Sequence, residues 1–182
     1  MSVDPHAGPA TGPQVDAGDV HKMHALDKIV EKYASTDVFV APGEQASPWV
    51  PFIENVYIRH LSFDVRNNNY VNILRVDSGG RLGRHRHRGP VSGFCLEGNW
   101  RYLEYDWVAE PGGYVHENPG AIHTLVCENP TGMKTLFWMN GALEFFDDDD
   151  NITDILDVFW FINHYVSYCE EANLQIDKSM FL

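Results

Sequence analysis

The 182-residue sequence predicts an all-β domain, a sandwich or barrel of short strands with one helical segment at either end. Three observations carry that expectation. Runs rich in Val, Ile, Phe, Tyr and Trp recur about every ten residues between Gly, Pro and Asn clusters. No strand–helix–strand alternation interrupts them, which sets aside an open parallel sheet. Hydrophobic residues make up 44% and charged residues 21%, a globular composition that at this length supports one main core.

In chain order, residues 1–20 hold Pro5, Gly8, Pro9, Gly12, Pro13 and Gly18 and no aromatic residue. So little apolar area cannot offset the entropy of ordering, and a flexible tail is expected. His6, His21 and His24, in or beside it, read as solvated polar residues. Leu26, Ile29, Val30 and Tyr33 then fall at helical spacing and predict a short amphipathic helix. Strands are expected at 56–65, 70–76, 91–96, 100–107, 123–127, 134–139 and 142–146, within a β-domain spanning 21–150 with its helical lead-in. Asp147–Asp150, Asn151 and Thr153 resemble a capped helix start. Beyond them Ile155, Leu156, Phe159, Ile162, Tyr165, Val166 and Cys169 form a stripe that Val158, Trp160 and Phe161 widen. A helix apolar on most sides needs cover on most sides, so the 151–182 extension is expected to pack on the β-core or a second subunit, in a homodimer or homotetramer.

The 26 acidic residues outnumber the 13 Lys and Arg, for a formal charge of −13. Such a surface repels phosphate backbones and anionic lipid, so neither nucleic acid nor membrane is expected as a partner. No apolar run nears the ~20 residues of a membrane helix, and the N-terminus lacks a basic segment followed by an apolar one. Cys95, Cys127 and Cys169 are odd in number and widely spaced, which disfavours a disulfide framework or zinc ribbon and points to the reducing cytoplasm.

The segment Gly79–His87 places His85 and His87 two residues apart in a strand-like stretch. With a side-chain period of two they share one face, while Arg84, Arg86 and Arg88 point away. Paired neutral imidazoles are a ready metal-binding unit. His123 follows a Pro119-Gly120 turn, and a sheet folded over on itself would bring it beside the pair.

Gly79, His85, His87 and Gly98 resemble the first cupin motif, and Gly112, Gly120 and His123 resemble the second in their spacing. Pro119 stands one place late, and Cys127 occupies the final Asn position. The resemblance implies a cupin jelly-roll β-barrel with a metal held by His85, His87 and His123. The carboxylate of the first motif would fall at Val91 or Ser92, so a neutral three-histidine site is expected. Such a set leaves the ion its full positive charge, a stronger Lewis acid suited to an enolate. Fe(II) activating O₂ is the expected cofactor, with Zn, Ni, Cu or Mn as alternatives.

Residues 85–98, 100–107 and 117–126, with Ser47–Phe52 upstream, resemble the 2,4'-dihydroxyacetophenone dioxygenase group of cupins. That likeness implies a non-haem iron dioxygenase taking a small carbonyl substrate and O₂ and cleaving the C–C bond of an aryl α-hydroxyketone. Such chemistry needs a dry aromatic pocket and a proton acceptor. Phe94, Trp100, Tyr102, Tyr105 and Trp107 are the pocket candidates, at most half of those on strand 100–107 facing inward. Glu97, Glu104, Glu110, Glu117 and His116 are the acid–base candidates. Glu104 leads as the catalytic residue, because a mid-strand carboxylate among apolar neighbours is costly without a role. Two other readings stand beside the dioxygenase: a cupin isomerase or hydrolase working without oxygen, and a non-enzymatic sensor that binds a small ligand.

Overall fold

The computed structural model describes residues 25–34, 37–43 and 47–182. The expected tail lies outside the described residues, as do His6, His21 and His24. Residues Met1–Thr36 and Asp37–Leu182 form two separate compact units. In the first, α1 (Ala25–Tyr33) forms where the helical spacing predicts, and its Ile29, Val30 and Tyr33 are exposed.

The second unit is built from β1 (Val50–Ile53), β2 (Val56–Asp64), β3 (Asn69–Val76), β4 (Arg81–His87), β5 (Val91–Gly98) and β6 (Arg101–Tyr102), continuing with β7 (Tyr114–Glu117), β8 (Ile122–Val126), β9 (Met133–Asn140), β10 (Leu143–Phe146) and β11 (Ile152–Leu156). These make two antiparallel sheets, ordered β1-β2-β3-β9-β5-β7 and β11-β10-β4-β8-β6. Among the described residues no pairing joins one sheet to the other, and the all-β fold that the sequence predicts takes the form of two facing antiparallel sheets.

Alternation builds the core between the sheets. Tyr70, Asn72, Leu74 and Val76 of β3 are buried while the residues between them are half exposed. Ile58, Phe137 and Met139 share that wall, and Leu82, Leu125 and Leu143 face it from the other sheet. Each such side chain removed from water contributes roughly 1.5–3 kcal/mol. Gly98 ends β5 at φ 68°, where a Cβ would meet the Gly132 carbonyl oxygen at 1.9 Å, so only glycine fits.

Two expectations at the element level are corrected. The strand expected over 100–107 is cut to Arg101–Tyr102, with a bridge from Trp100 to Ala109. Leu103 N–H donates to the Thr124 carbonyl, and then the Glu104 side chain, rather than a backbone carbonyl, accepts from Thr124 N–H at 2.8 Å. That local side-chain bond replaces the next rung of the ladder and ends β6.

The helix expected from the acidic run begins instead at Val158. Asp147 accepts from the N–H groups of Asp149 and Asn151, making a turn that leads into β11, and Ile155 and Leu156 are strand residues. The β-branched Ile152, Thr153 and Ile155 suit the pairing with β10. Asp157 is the actual N-cap of α2 (Val158–Glu171), accepting from Trp160 N–H at 3.0 Å. At the other end Asn173, at φ 54°, allows Leu174 N–H to reach the Cys169 carbonyl in a Schellman closure. α2 buries Val158, Phe161, Tyr165 and Cys169 on one face and exposes Phe159, so it is covered on one side rather than most. Phe161 stacks on Tyr70 at 4.4 Å, seating α2 on the six-stranded sheet. No helix among the described residues is long and apolar enough to cross a membrane.

Candidate metal centre

β4 delivers two histidines because its period-two alternation sends His85 and His87 inward and the arginines outward. Arg86 and Arg88 each donate at 2.6 Å to the buried Glu144 carboxylate on β10, and Arg84 pairs with Asp150. Those ion pairs anchor the outer side of the strand. His123 of β8 lies directly across the antiparallel pair from His85, so its imidazole emerges on the same inner face. The preceding turn depends on Gly120 at φ 90°, a conformation that suits glycine after Pro119.

The three imidazoles converge. Their ring centroids stand 4.7 Å apart for His85 and His123, 5.3 Å for His85 and His87, and 5.7 Å for His87 and His123. One nitrogen from each lies within 4.8 Å of the others, and all three residues are buried. Burial lowers each pKa: His85 to about 4, His123 to about 3, and His87 well below the ordinary value. All three are therefore neutral at pH 7, the state that ligates a metal. His85 Nδ1–H donates to the Gly83 carbonyl at 2.6 Å, which leaves the Nε2 lone pair for an ion.

Beside the three neutral imidazoles stands one carboxylate, Glu117. Its Oε2 lies 3.4 Å from His123 Nε2 and 3.5 Å from His87 Nε2, with the side chain buried. Tyr102 O–H donates to the other carboxylate oxygen, and the tyrosine ring stacks on His123 at 3.8 Å. Burial raises the Glu117 carboxyl to about 7, against the lowering effect of the Tyr102 hydrogen bond. Sequence reasoning placed Glu117 among five acid–base candidates and preferred Glu104. The missed signal is register: Glu117 of β7 stands directly opposite Val91 of β5, the position where the motif carboxylate is absent.

The residues fit a divalent ion. His123 Nδ1 and Nε2 and Glu117 Oε2 are buried without a hydrogen-bond partner, a cost of roughly 1–3 kcal/mol per group that a cation at their focus would relieve. Donors about 2.1 Å from an ion stand ~3.0–3.4 Å apart, close to the carboxylate–imidazole separations. Neutral nitrogens with an adjacent carboxylate suit Fe(II), Zn, Ni or Mn.

Beside the histidines lies a cavity of about 40 Å³, on the order of three times what one water needs. Its wall is mostly apolar and includes Phe52 and Phe161 with the core residues of both sheets, His85, His87, Tyr102 and a single carboxamide, Asn72. Of the five expected pocket aromatics, Tyr102 alone lines it. Trp100 is buried behind Tyr102, edge-on at 5.1 Å. Phe94 lies on the outer face of β5 and is exposed. Tyr105 and Trp107 stack on each other at 5.6 Å and are partly exposed, because residues 103–108 leave the strand and lose its alternation. Glu104 is corrected likewise: it is an exposed turn residue that ties β6 to Thr124, next to His123.

The sequence profile of the ChrR cupin-like domain family matches residues 37–144. An RmlC-like cupin protein from Ralstonia eutropha JMP134 superimposes with a TM-score of 0.73 at 25% identity, covering 83% of this chain and 97% of its own. A cupin-fold protein of unknown function from the same organism gives 0.70 at 21% identity, covering 82% and 94%. Acetylacetone dioxygenase from Acinetobacter johnsonii gives 0.66 at 18% identity, covering 73% and 93%, a likeness of fold. No curated protein matches the sequence significantly.

Proposed function

The chain belongs to the ChrR cupin-like domain family, and from that premise we propose that it is a metal-dependent dioxygenase that cleaves a C–C bond of a small hydroxyketone or β-diketone. The observation carrying this reading is the partnerless Glu117 carboxylate oxygen beside a cluster of three neutral imidazoles, two of which, His85 and His87, line an apolar cavity. Bound Fe(II) would supply Lewis acidity toward the substrate oxygens and one-electron chemistry with O₂. His85, His87 and His123 would hold it.

The remaining work falls to this chain's own groups. A carbonyl compound loses an α-proton on the way to its enolate, and in this reading Glu117 accepts it. Burial raises its carboxyl to about 7 in the ion-free site, and a cation on the adjacent imidazoles would lower it again, keeping the carboxylate ionised as a base requires. Tyr102 fixes the carboxylate and, stacked on His123, holds base and ligand in one frame. The apolar walls exclude water from an enolate that water would reprotonate. A cavity this small favours compact substrates such as acetylacetone over aryl ketones, unless lining side chains turn aside.

The test is O₂ uptake by protein loaded anaerobically with Fe(II), given acetylacetone, hydroxyacetone or 2,4'-dihydroxyacetophenone. Consumption stoichiometric with substrate loss is expected. Turnover without oxygen would replace the reading with an isomerase or hydrolase. A second reading is a sensor whose metal and cavity bind a ligand without turning it over; tight binding with no reaction would select it.

A further inference from the structure

β3 interrupts its own pattern. Tyr70, Leu74 and Val76 face the interior as apolar or aromatic side chains, and between them Asn72 is 3% exposed. Its Oδ1 is buried with no hydrogen-bond partner, although Asn72 lines the cavity shared with His85 and His87. The histidines belong to the five-stranded sheet and Asn72 to the six-stranded one, so they occupy different walls. A buried amide without a partner opposes folding, and a leucine at this position would pack without that penalty. The carboxamide carries both a donor and an acceptor, and the other cavity residues of its own sheet, Phe52, Ile58, Leu74, Phe137 and Met139, offer it no polar side chain.

We propose that Asn72 is a specificity-determining residue that hydrogen-bonds a hydroxyl on the ligand, one other than the oxygens that face the histidines. The ligand class is then a compact α-hydroxyketone bearing an additional hydroxyl. This deepens the functional reading above and rests on it for the placing of the carbonyl end. The unpartnered acceptor Oδ1 requires a donor, which the enolate of a simple β-diketone lacks and a polyhydroxy ketone has.

The experiment uses Zn(II)-loaded full-length protein, which binds without oxidative turnover, and the matched probes dihydroxyacetone and hydroxyacetone, which differ by one hydroxyl. Calorimetric titration of the native protein is expected to favour dihydroxyacetone by about tenfold. Asn72→Leu is expected to bring the two affinities within twofold of each other, while the metal-free variant melts no lower than the native protein. Equal affinities in the native protein, no binding of either probe, or a preference that survives Asn72→Leu would overturn the proposal. So would a lower melting temperature, since it would mean that the amide stabilises the fold, through an ordered water or otherwise. Discrimination without O₂ uptake in the Fe(II) form would retire the dioxygenase reading and leave the role of Asn72 standing.

Discussion

Glu117 reaches the imidazoles from β7 because that strand runs antiparallel to β5, with Glu117 opposite Val91. A proton acceptor there predicts a specific loss. Glu117→Gln keeps the shape and the Tyr102 contact but removes the basic oxygen, so turnover should fall ~10²-fold or more with metal still bound. Oxygen-uptake rates and metal content measured on the same preparation check this; a rate within threefold of native removes Glu117 as the base. The histidines were legible in the sequence because two-residue spacing fixes a shared face whatever the tertiary fold. Glu117 and Asn72 were not, since strand register and the opposing sheet decide what a side chain meets. Glu104 was misread for a related reason: its own hydrogen bond to Thr124 N–H ends the strand that was to place it mid-sheet.

α2 is held to the sheet by a polar relay inside an aromatic cluster. His164 Nε2–H donates to the Pro51 carbonyl at 2.9 Å, so its Nδ1 accepts from His60 Nε2–H at 3.1 Å. This chain across β1, β2 and α2 gives both histidines a structural role. Burial, then the proximity of His164, lowers the His60 pKa well below normal, and burial lowers His164 also. An unfolded histidine protonates near 6.5, so below that pH the unfolded state binds protons that the native relay refuses. Stability should therefore be full above pH ~6.5 and fall as the pH drops beneath it. His85, His87 and His123 act in the same direction, while Glu117, its carboxyl raised to about 7, opposes these five histidines as a single group. Urea midpoints measured from pH 7.5 to 5 should decline in the native protein and decline less steeply in His60→Leu; equal slopes would show that the relay does not titrate with folding. The boundaries of α2 escaped sequence reasoning because Asp147–Asn151 and Asp157 both carry capping chemistry, and pairing with β10 decided between them.

At the scale of the whole molecule, the β-class was legible from recurrent strand runs, most of which are strands in the structure. The sequence did not reveal β1, β7 or β11, short strands that lie at the edges of the two sheets, where half-satisfied ladders leave a weak hydrophobic signature. The arrangement explains why the site is where it is: β4 and β8 are neighbours in one sheet, β7 closes the edge of the other, and the Pro119-Gly120 turn links β7 to β8. Three histidines from two strands thus meet at one point, with the Glu117 carboxylate of a third strand beside them. Metal content per chain tests that convergence most directly, measured for native protein and for His87→Ala and His123→Ala after Fe(II) or Zn(II) loading and desalting. One ion per native chain is expected, and almost none in either variant, with circular dichroism showing the β-fold retained. Full metal content in a folded His87→Ala or His123→Ala protein would contradict a single shared site.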